Sequence, residues 1–258
     1  SSSKARSFKD SSLPIKSGSN NKISFPAIAL VVSGAHTELY LMKDEQTLKW
    51  LGGTLDDAAG ECFDKCARLL GLPYPGGPAI ASAAISQLTT HPLRQNYNEA
   101  SSSQLKLPSP MINDKSLNFS FSGLKTAVIR EWKKYSQQLT THPPLRRTGN
   151  SQLTTIFAYE IQEAITDVLV TKTLHAASEY NACSIIVTGG VAANQRLSHK
   201  FSSTGRSAIG GNLKYSCHIP EPKLCVDSAT YIAGCAFYQK NIVPWKEIAA
   251  RPDLSVEI

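Results

Sequence analysis

The 258-residue chain has no apolar run approaching the roughly 18 residues needed to span a bilayer, and no signal-peptide core. Its six cysteines, Cys62, Cys66, Cys183, Cys217, Cys225 and Cys235, contain no C-x-x-C pair. Cys62 and Cys66 fall four apart on one side of a predicted helix, so they read as core thiols in a reducing compartment rather than zinc ligands or a disulfide ladder. The six histidines never take H-x-x-x-H or H-E-x-x-H spacing, which excludes a local metal clip or zincin, and none precedes His36. G-x-G-x-x-G, the Walker pattern and the G-x-S-x-G elbow are also missing. Their absence removes the Rossmann, P-loop and α/β-hydrolase readings.

What is present describes a globular protein: 41% apolar and 18% charged residues, with a net charge of +7 and a pI near 9.1. The basic balance fits either a polyanionic partner such as nucleic acid or a merely basic surface. The length suits one large domain or two ordinary ones. The first residue is Ser rather than Met, so the chain reads as a processed or excerpted piece. Residues 1–24, rich in Ser, Lys and Asn, read as a disordered linker.

Residues 27–33 form a continuous apolar run, the mark of a strand buried on both faces. A second strand is expected over 38–42 and a third over 47–51. The Ser-Gly-Ala-His-Thr bend between the first two offers hydroxyls and amides to an anion, or is an ordinary tight hairpin. The chain is organised around the next stretch, 51–78. Thr54 and Asp57 look like a capping box, and Leu55, Ala58, Ala59, Cys62, Phe63, Cys66, Leu69 and Leu70 form an apolar stripe at helical spacing. Asp57, Glu61, Asp64, Lys65 and Arg68 occupy the opposite face. Gly71 suits a left-handed C-cap, and Pro73 and Pro75 end the helix.

Further helices are expected over 79–90, 123–139 (with Ser122 as N-cap) and 151–179, separated by irregular loops at 91–117 and 140–150. A short strand is expected over 118–122. Residues 184–188 read as a buried strand ending in Gly189-Gly190 and running into a helix; such a junction lets the backbone approach a ligand. A last strand is expected near 213–218 and a last helix from Cys225, with Asp227 in its first turn. Read alone, Asp227 is dipole compensation.

In order, Val-Val-Ser-Gly-Ala-His-Thr, Asp-Asp-Ala-Ala-Gly-Glu-Cys-Phe-Asp-Lys, Tyr-Pro-Gly-Gly-Pro, Phe-Ser-Phe-Ser-Gly-Leu-Lys-Thr, Thr-Gly-Gly-Val-Ala-Ala-Asn and Val-Asp-Ser-Ala resemble one family. It is the tRNA N6-adenosine threonylcarbamoyltransferases, once described as O-sialoglycoprotein endopeptidases, and the resemblance covers about residues 27–239. It implies an α/β fold of the actin-like, acetate and sugar kinase type, with residues 25–258 forming the C-terminal lobe and the first lobe absent. The implied activity moves a threonylcarbamoyl group from threonylcarbamoyl-AMP to N6 of the adenosine beside the anticodon of ANN-decoding tRNAs.

By the same resemblance, Val31, Val32, Ser33, Gly34 and Ala35 form the substrate loop. Asp64 and the backbone at Gly77 bind the adenylate ribose, Asn194 contacts the nucleotide, and Asp227 ligates a divalent metal (iron, zinc or magnesium). No protein general base is implied. Ala35 stands where the family has Gly, and Ser228 where it has Asn. The family's H-x-x-x-H metal motif lies upstream of the loop, outside this chain. The resemblance also implies a homodimer in the mitochondrial matrix, otherwise the cytoplasm, with no membrane. Lys125, Lys133, Lys134, Arg146 and Arg147 are candidate tRNA contacts, or simply a solvated helix face. Competing readings are a small-molecule kinase of the same superfamily and a non-catalytic nucleotide- or tRNA-binding module.

Overall fold

A computed structural model describes residues 22–90, 105–140, 146–204, 215–225, 229–238, 244–247 and 249. Its centre is a five-stranded mixed sheet in the order β3-β2-β1-β4-β5. The strands are β1 (Ala27–Val32), β2 (Thr37–Met42), β3 (Leu48–Gly53), β4 (Ser184–Thr188) and β5 (Ser216–His218). The first three form an antiparallel meander. β4 then pairs in parallel with β1, Ala27 opposite Ser184 and Val31 opposite Thr188, and β5 pairs in parallel with β4. Ile28, Leu30, Val32, Leu39, Leu41, Ile185 and Val187 share the sheet face that meets the helices. Ala27, Ala29 and Tyr40, which alternate with them, are buried as well, and this explains the uninterrupted apolar run of β1.

Six helices accompany the sheet among the described residues: α1 (Ala59–Leu69), α2 (Gly76–Thr90), α3 (Ser122–Thr140), α4 (Arg146–Glu179), α5 (Gln195–Thr204) and α6 (Ala229–Tyr238). α4 is the hub and packs against α1, α2, α3, α5, β1 and β4. Phe157, Ile161, Ile165, Val168 and Leu169 are fully buried in it, together with Ala158, Ala176 and Ala177. Lys172, 1% exposed, extends from α4 to the carbonyls of Ser116 (2.6 Å) and Asp114 (3.3 Å) and so ties down the irregular 105–117 segment. Burial pulls its pKa down, opposed by the charge of Asp114.

The expected helices and five of the expected strands are found, with corrected ends, and the strand expected over 118–122 is not formed. α2 begins at Gly76 rather than 79, because Pro78 sits in the first turn, where its missing N–H costs nothing. α4 reaches back to Arg146 across the expected loop. Phe119 makes an isolated parallel bridge to Thr54 instead of joining a strand. β5 starts at Ser216 and α6 at Ala229. Residues 226–228, and hence Asp227, lie outside the described residues, as does the linker expected over 1–24 up to residue 21.

The expected capping box is not formed. Thr54 Oγ1 donates to the Asp57 carbonyl (2.8 Å), and α1 starts only at Ala59. Leu55, placed in the apolar stripe, is 66% exposed, because it precedes the helix and does not share its periodicity. The rest of the stripe is buried apart from the half-buried Leu69, and Gly71 takes the expected left-handed conformation at the helix end.

Phe157 lies edge-on to Trp132 (centroids 5.1 Å apart) and Tyr135 (6.1 Å), joining α3 to α4. Phe157→Ala is expected to cost about 3–5 kcal/mol, the range for an aromatic cavity that cannot collapse. Urea denaturation followed by circular dichroism checks this, and a loss below ~1 kcal/mol would place the hub elsewhere.

Candidate functional site

Two glycine-bearing turns leave the same end of adjacent parallel strands: Ser33–His36 after β1, and Gly189-Gly190 after β4. The second continues as a 3-10 turn, Gly190–Ala193, that packs against α1 and β1. Gly189 has φ +96°, and a Cβ there would meet the Val32 carbonyl oxygen at 2.3 Å. Both the conformation and the contact require glycine. The 3-10 turn Pro222–Leu224 also packs on Gly190–Ala193, so the chain passes this site just before residue 227.

The β1–β2 bend is closed on itself and on α1. Ser33 N–H donates to the His36 carbonyl (2.8 Å), and Ser33 Oγ accepts from the amides of Ala35 (3.3 Å) and His36 (3.1 Å). The Gly60 amide donates to the Ser33 carbonyl (3.1 Å), and the Ala59 amide donates to Thr37 Oγ1 (2.9 Å). Two opening amides of α1 are therefore taken by Thr37 and Ser33, and the bend is closed as a tight hairpin, one of the two readings its composition allowed. Ala35 is exposed and absent from the positive-φ residues among those described, so its Cβ is accommodated without strain. Val32 is fully buried in the core, Val31 is half-buried on the other sheet face, and the backbone of both borders the turn.

Asp64 faces the start of α2. Its Oδ1 accepts from the Gly76 amide at 2.6 Å, capping that helix. Gly76 is packed so closely that a Cβ would meet the Asp64 Cα at 2.5 Å, whereas the space in front of Gly77 is open to 4 Å. Asn194 likewise caps a helix: Oδ1 accepts from the amides of Arg196 (2.9 Å) and Leu197 (3.1 Å), and Nδ2 donates to Gln162 Oε1 (3.1 Å). Each of the two predicted polar contacts thus has a structural job, with one carboxylate oxygen of Asp64 and one amide hydrogen of Asn194 beyond it.

Sequence reasoning missed the anchors. Asp56 reaches forward to cap α3, accepting from the amides of Phe121 (2.7 Å) and Ser122 (3.2 Å) and the hydroxyls of Ser120 and Ser122 (both 2.6 Å). Ser122 is therefore a donor to the cap and not the cap itself. Asp57 binds Lys65 (2.7 Å) and Lys125 (3.0 Å). Glu163 takes Arg196 through two bonds (2.6 and 2.7 Å) and Lys200 at 3.2 Å. Partial burial by itself would raise the Asp57 and Glu163 carboxyls, but their cationic hydrogen-bond partners outweigh it and hold both below the ordinary values. The Asp56-Asp57 pair ahead of α1 was the visible signal; its partners and that of Glu163, which sits in the middle of α4, lie 8 to 68 residues away and were not legible.

Of the proposed tRNA cations, Lys125 is held by Asp57, and Lys134 lies near Glu131 (3.6 Å) and over Tyr135. Lys133 is exposed. The side chains of Arg146 and Arg147 lie outside the described residues. Between α1 and α3, Lys65, Arg68 and Lys125 rim a hollow of about 260 Å³ floored by Cys66, Leu69 and Ile129. Among the described residues no three His, Cys, Asp or Glu side chains come together as a metal site, and Asp227 lies outside them. No described helix is long and apolar enough to cross a membrane.

A family model for tRNA N6-adenosine threonylcarbamoyltransferases matches residues 13–234. The chain is 40% identical over 239 residues to the protein of that name from Persephonella marina, covering 92% of this chain and 58% of that one. It is 43% identical over 216 residues to that of Syntrophomonas wolfei (84% and 55% covered), and 39% over 236 residues to that of Bacillus subtilis (91% and 60%). The chain thus spans little more than half the length of the curated relatives it matches. Their names favour the transferase over the small-molecule kinase.

Because the Asp57 carboxyl titrates lower in the folded state than its ordinary 3.8, its ion pairs stabilise the fold above that value and the benefit is lost as pH falls below it. The melting temperature should be flat above about pH 5 and drop below about pH 4. In Asp57→Asn the melting temperature should be lower at pH 7 and the acid limb shallower. An unchanged acid limb, measured by differential scanning calorimetry, would remove Asp57 from this role.

Proposed function

The chain belongs to the tRNA N6-adenosine threonylcarbamoyltransferase family, and on that premise we propose that it supplies the adenylate-binding half of a transferase cleft. In this reading residues 25–258 are the C-terminal lobe of an actin-like fold; the 3-2-1-4-5 sheet with its single antiparallel meander fits such a lobe. The reaction transfers the threonylcarbamoyl group of threonylcarbamoyl-AMP to tRNA. The adenosine N6 attacks the carbamoyl carbonyl, the new N–C bond forms, the bond from that carbon to the phosphate oxygen breaks, and AMP leaves with the electron pair. The N6 proton passes to solvent, because no side chain is assigned as base.

The observation that carries the reading is the convergence of the β1 and β4 turns with the Asp64–Gly76 junction along α1. Gly77 lets the nucleotide approach the opening of α2, and the outer oxygen of Asp64 accepts from a ribose hydroxyl. Asn194 contributes its remaining amide hydrogen to the nucleotide. The backbone of Val31–Ala35 borders the transferred group. A divalent metal held in part by Asp227 belongs to the reading through the resemblance alone, as do the homodimer and the mitochondrial matrix. tRNA is the macromolecular partner. The cation-rimmed hollow between α1 and α3 is a suitable landing for its phosphates, with Arg68 the exposed member of the rim.

Calorimetric titration with AMP tests the nucleotide half. The chain should bind AMP, and Gly77→Val should weaken binding at least ~10-fold with the melting temperature nearly unchanged, since its side chain projects into open space. No AMP binding, or full binding by Gly77→Val, sinks the reading.

The tRNA half is tested by filter binding. Arg68→Glu should weaken tRNA about 3- to 30-fold and reduce the salt slope by roughly one, leaving AMP affinity intact. Equal tRNA affinity would take the hollow out of the interface.

A further inference from the structure

The Gly189–Asn194 turn is built from glycine, valine and alanine up to Asn194, so Asn194 supplies the first side chain with hydrogen bonds to hold it. The orientation of that side chain is fixed by elimination. Its Oδ1 receives two backbone amides, from Arg196 and Leu197, and only an oxygen can do so. Nδ2 must therefore face the other way, where it donates to Gln162 Oε1 at 3.1 Å. Gln162 is 6% exposed on α4 and is one helical turn from Thr166, whose hydroxyl donates back to the Gln162 carbonyl (2.6 Å). Its neighbour Glu163 clamps Arg196 from the same turn of α4.

We propose that Gln162 is the positioning residue of the Gly189–Asn194 turn. It holds one Nδ2 hydrogen of Asn194, and because the amide is planar this sets the direction of the other, the donor left for a ligand. This rests on reading the turn as a nucleotide loop. Gln162 touches no ligand in the proposal; it acts through Asn194. The side chain is a conditional match, because only an acceptor at this point completes Asn194. Glu provides that acceptor, whereas Leu, of similar bulk, does not.

The test compares the whole chain with Gln162→Leu, Gln162→Glu and Asn194→Asp, measuring amide hydrogen exchange across 189–197 by mass spectrometry and AMP affinity by calorimetry. In Gln162→Leu, exchange over 189–197 should accelerate about tenfold while 165–177 of α4 stays protected, and AMP binding should weaken about tenfold. Gln162→Glu should restore both. If Gln162→Leu does not fold, the carboxylate pair decides. Asn194→Asp alone should leave exchange over the turn unchanged, because Gln162 turns its amide to donate, while AMP affinity falls with the lost Nδ2 donor. Combined with Gln162→Glu it sets two carboxylates face to face and should loosen the turn beyond the sum of the single changes.

Unchanged exchange in Gln162→Leu, no rescue by Gln162→Glu, or an additive double variant overturns the proposal. So does faster exchange with unaltered AMP affinity, which would leave Gln162 a merely structural residue. If the unaltered chain binds no AMP, the nucleotide reading falls, while the exchange data still decide whether Gln162 positions the turn.

Discussion

The parallel ladder between β1 and β4 is the contact on which the functional part of the molecule depends. Parallel neighbours end at the same edge of the sheet, so the turns after Val32 and Thr188 emerge side by side. The clearance between them is set by the Gly189 backbone resting on the Val32 carbonyl, where a methyl group has no room. An antiparallel partner at that place would send the Gly-Gly turn to the opposite edge. The burial of both faces of β1 and the central position of α4 are the conditions under which that ladder forms.

A second regularity is how the helices begin. α1 is capped by Thr37, α2 by Asp64 and α3 by Asp56, each from a preceding element rather than from the residue before the helix. α5, by contrast, is capped by its own flanking residue, Asn194. Each remote cap satisfies an orphan amide and at the same time fixes one element against another. One hydrogen bond thereby does the work of local and tertiary structure together.

This also explains what the sequence could and could not disclose. Apolar periodicity is local, so β1, β2, β3, the stripe of α1 and the hydrophobic positions of α4 were legible, as were the glycines after β1 and β4. Cap assignment by proximity failed at Thr54 and Ser122, because the true acceptors come from elsewhere in the fold. Asp64 and Asn194 were recognisable as special by their motif. Their capping roles, however, required knowing that Gly76 opens a helix and that Gln162 lies opposite. Gln162, Glu163, Arg196 and Lys200 carry no local signal, because they meet only where α5 folds back over α4.

The opening amides of α1 carry the last step. The Ser-Gly-Ala-His-Thr bend resembles an anion nest, yet the Ala59 and Gly60 amides are donated to Thr37 and Ser33, and the amides of Ala35 and His36 to the Ser33 hydroxyl. An anion drawn to the bend must displace those bonds, each worth roughly 0.5–1.5 kcal/mol net. A ligand at Gly77 meets open space and displaces nothing there. In the proposed reading the bend is therefore a wall, and the nucleotide is held from the open side of α2 and the Gly189–Asn194 turn. On that division of labour the alanine at position 35 is unremarkable: its own amide is bonded to Ser33 Oγ and its Cβ is exposed.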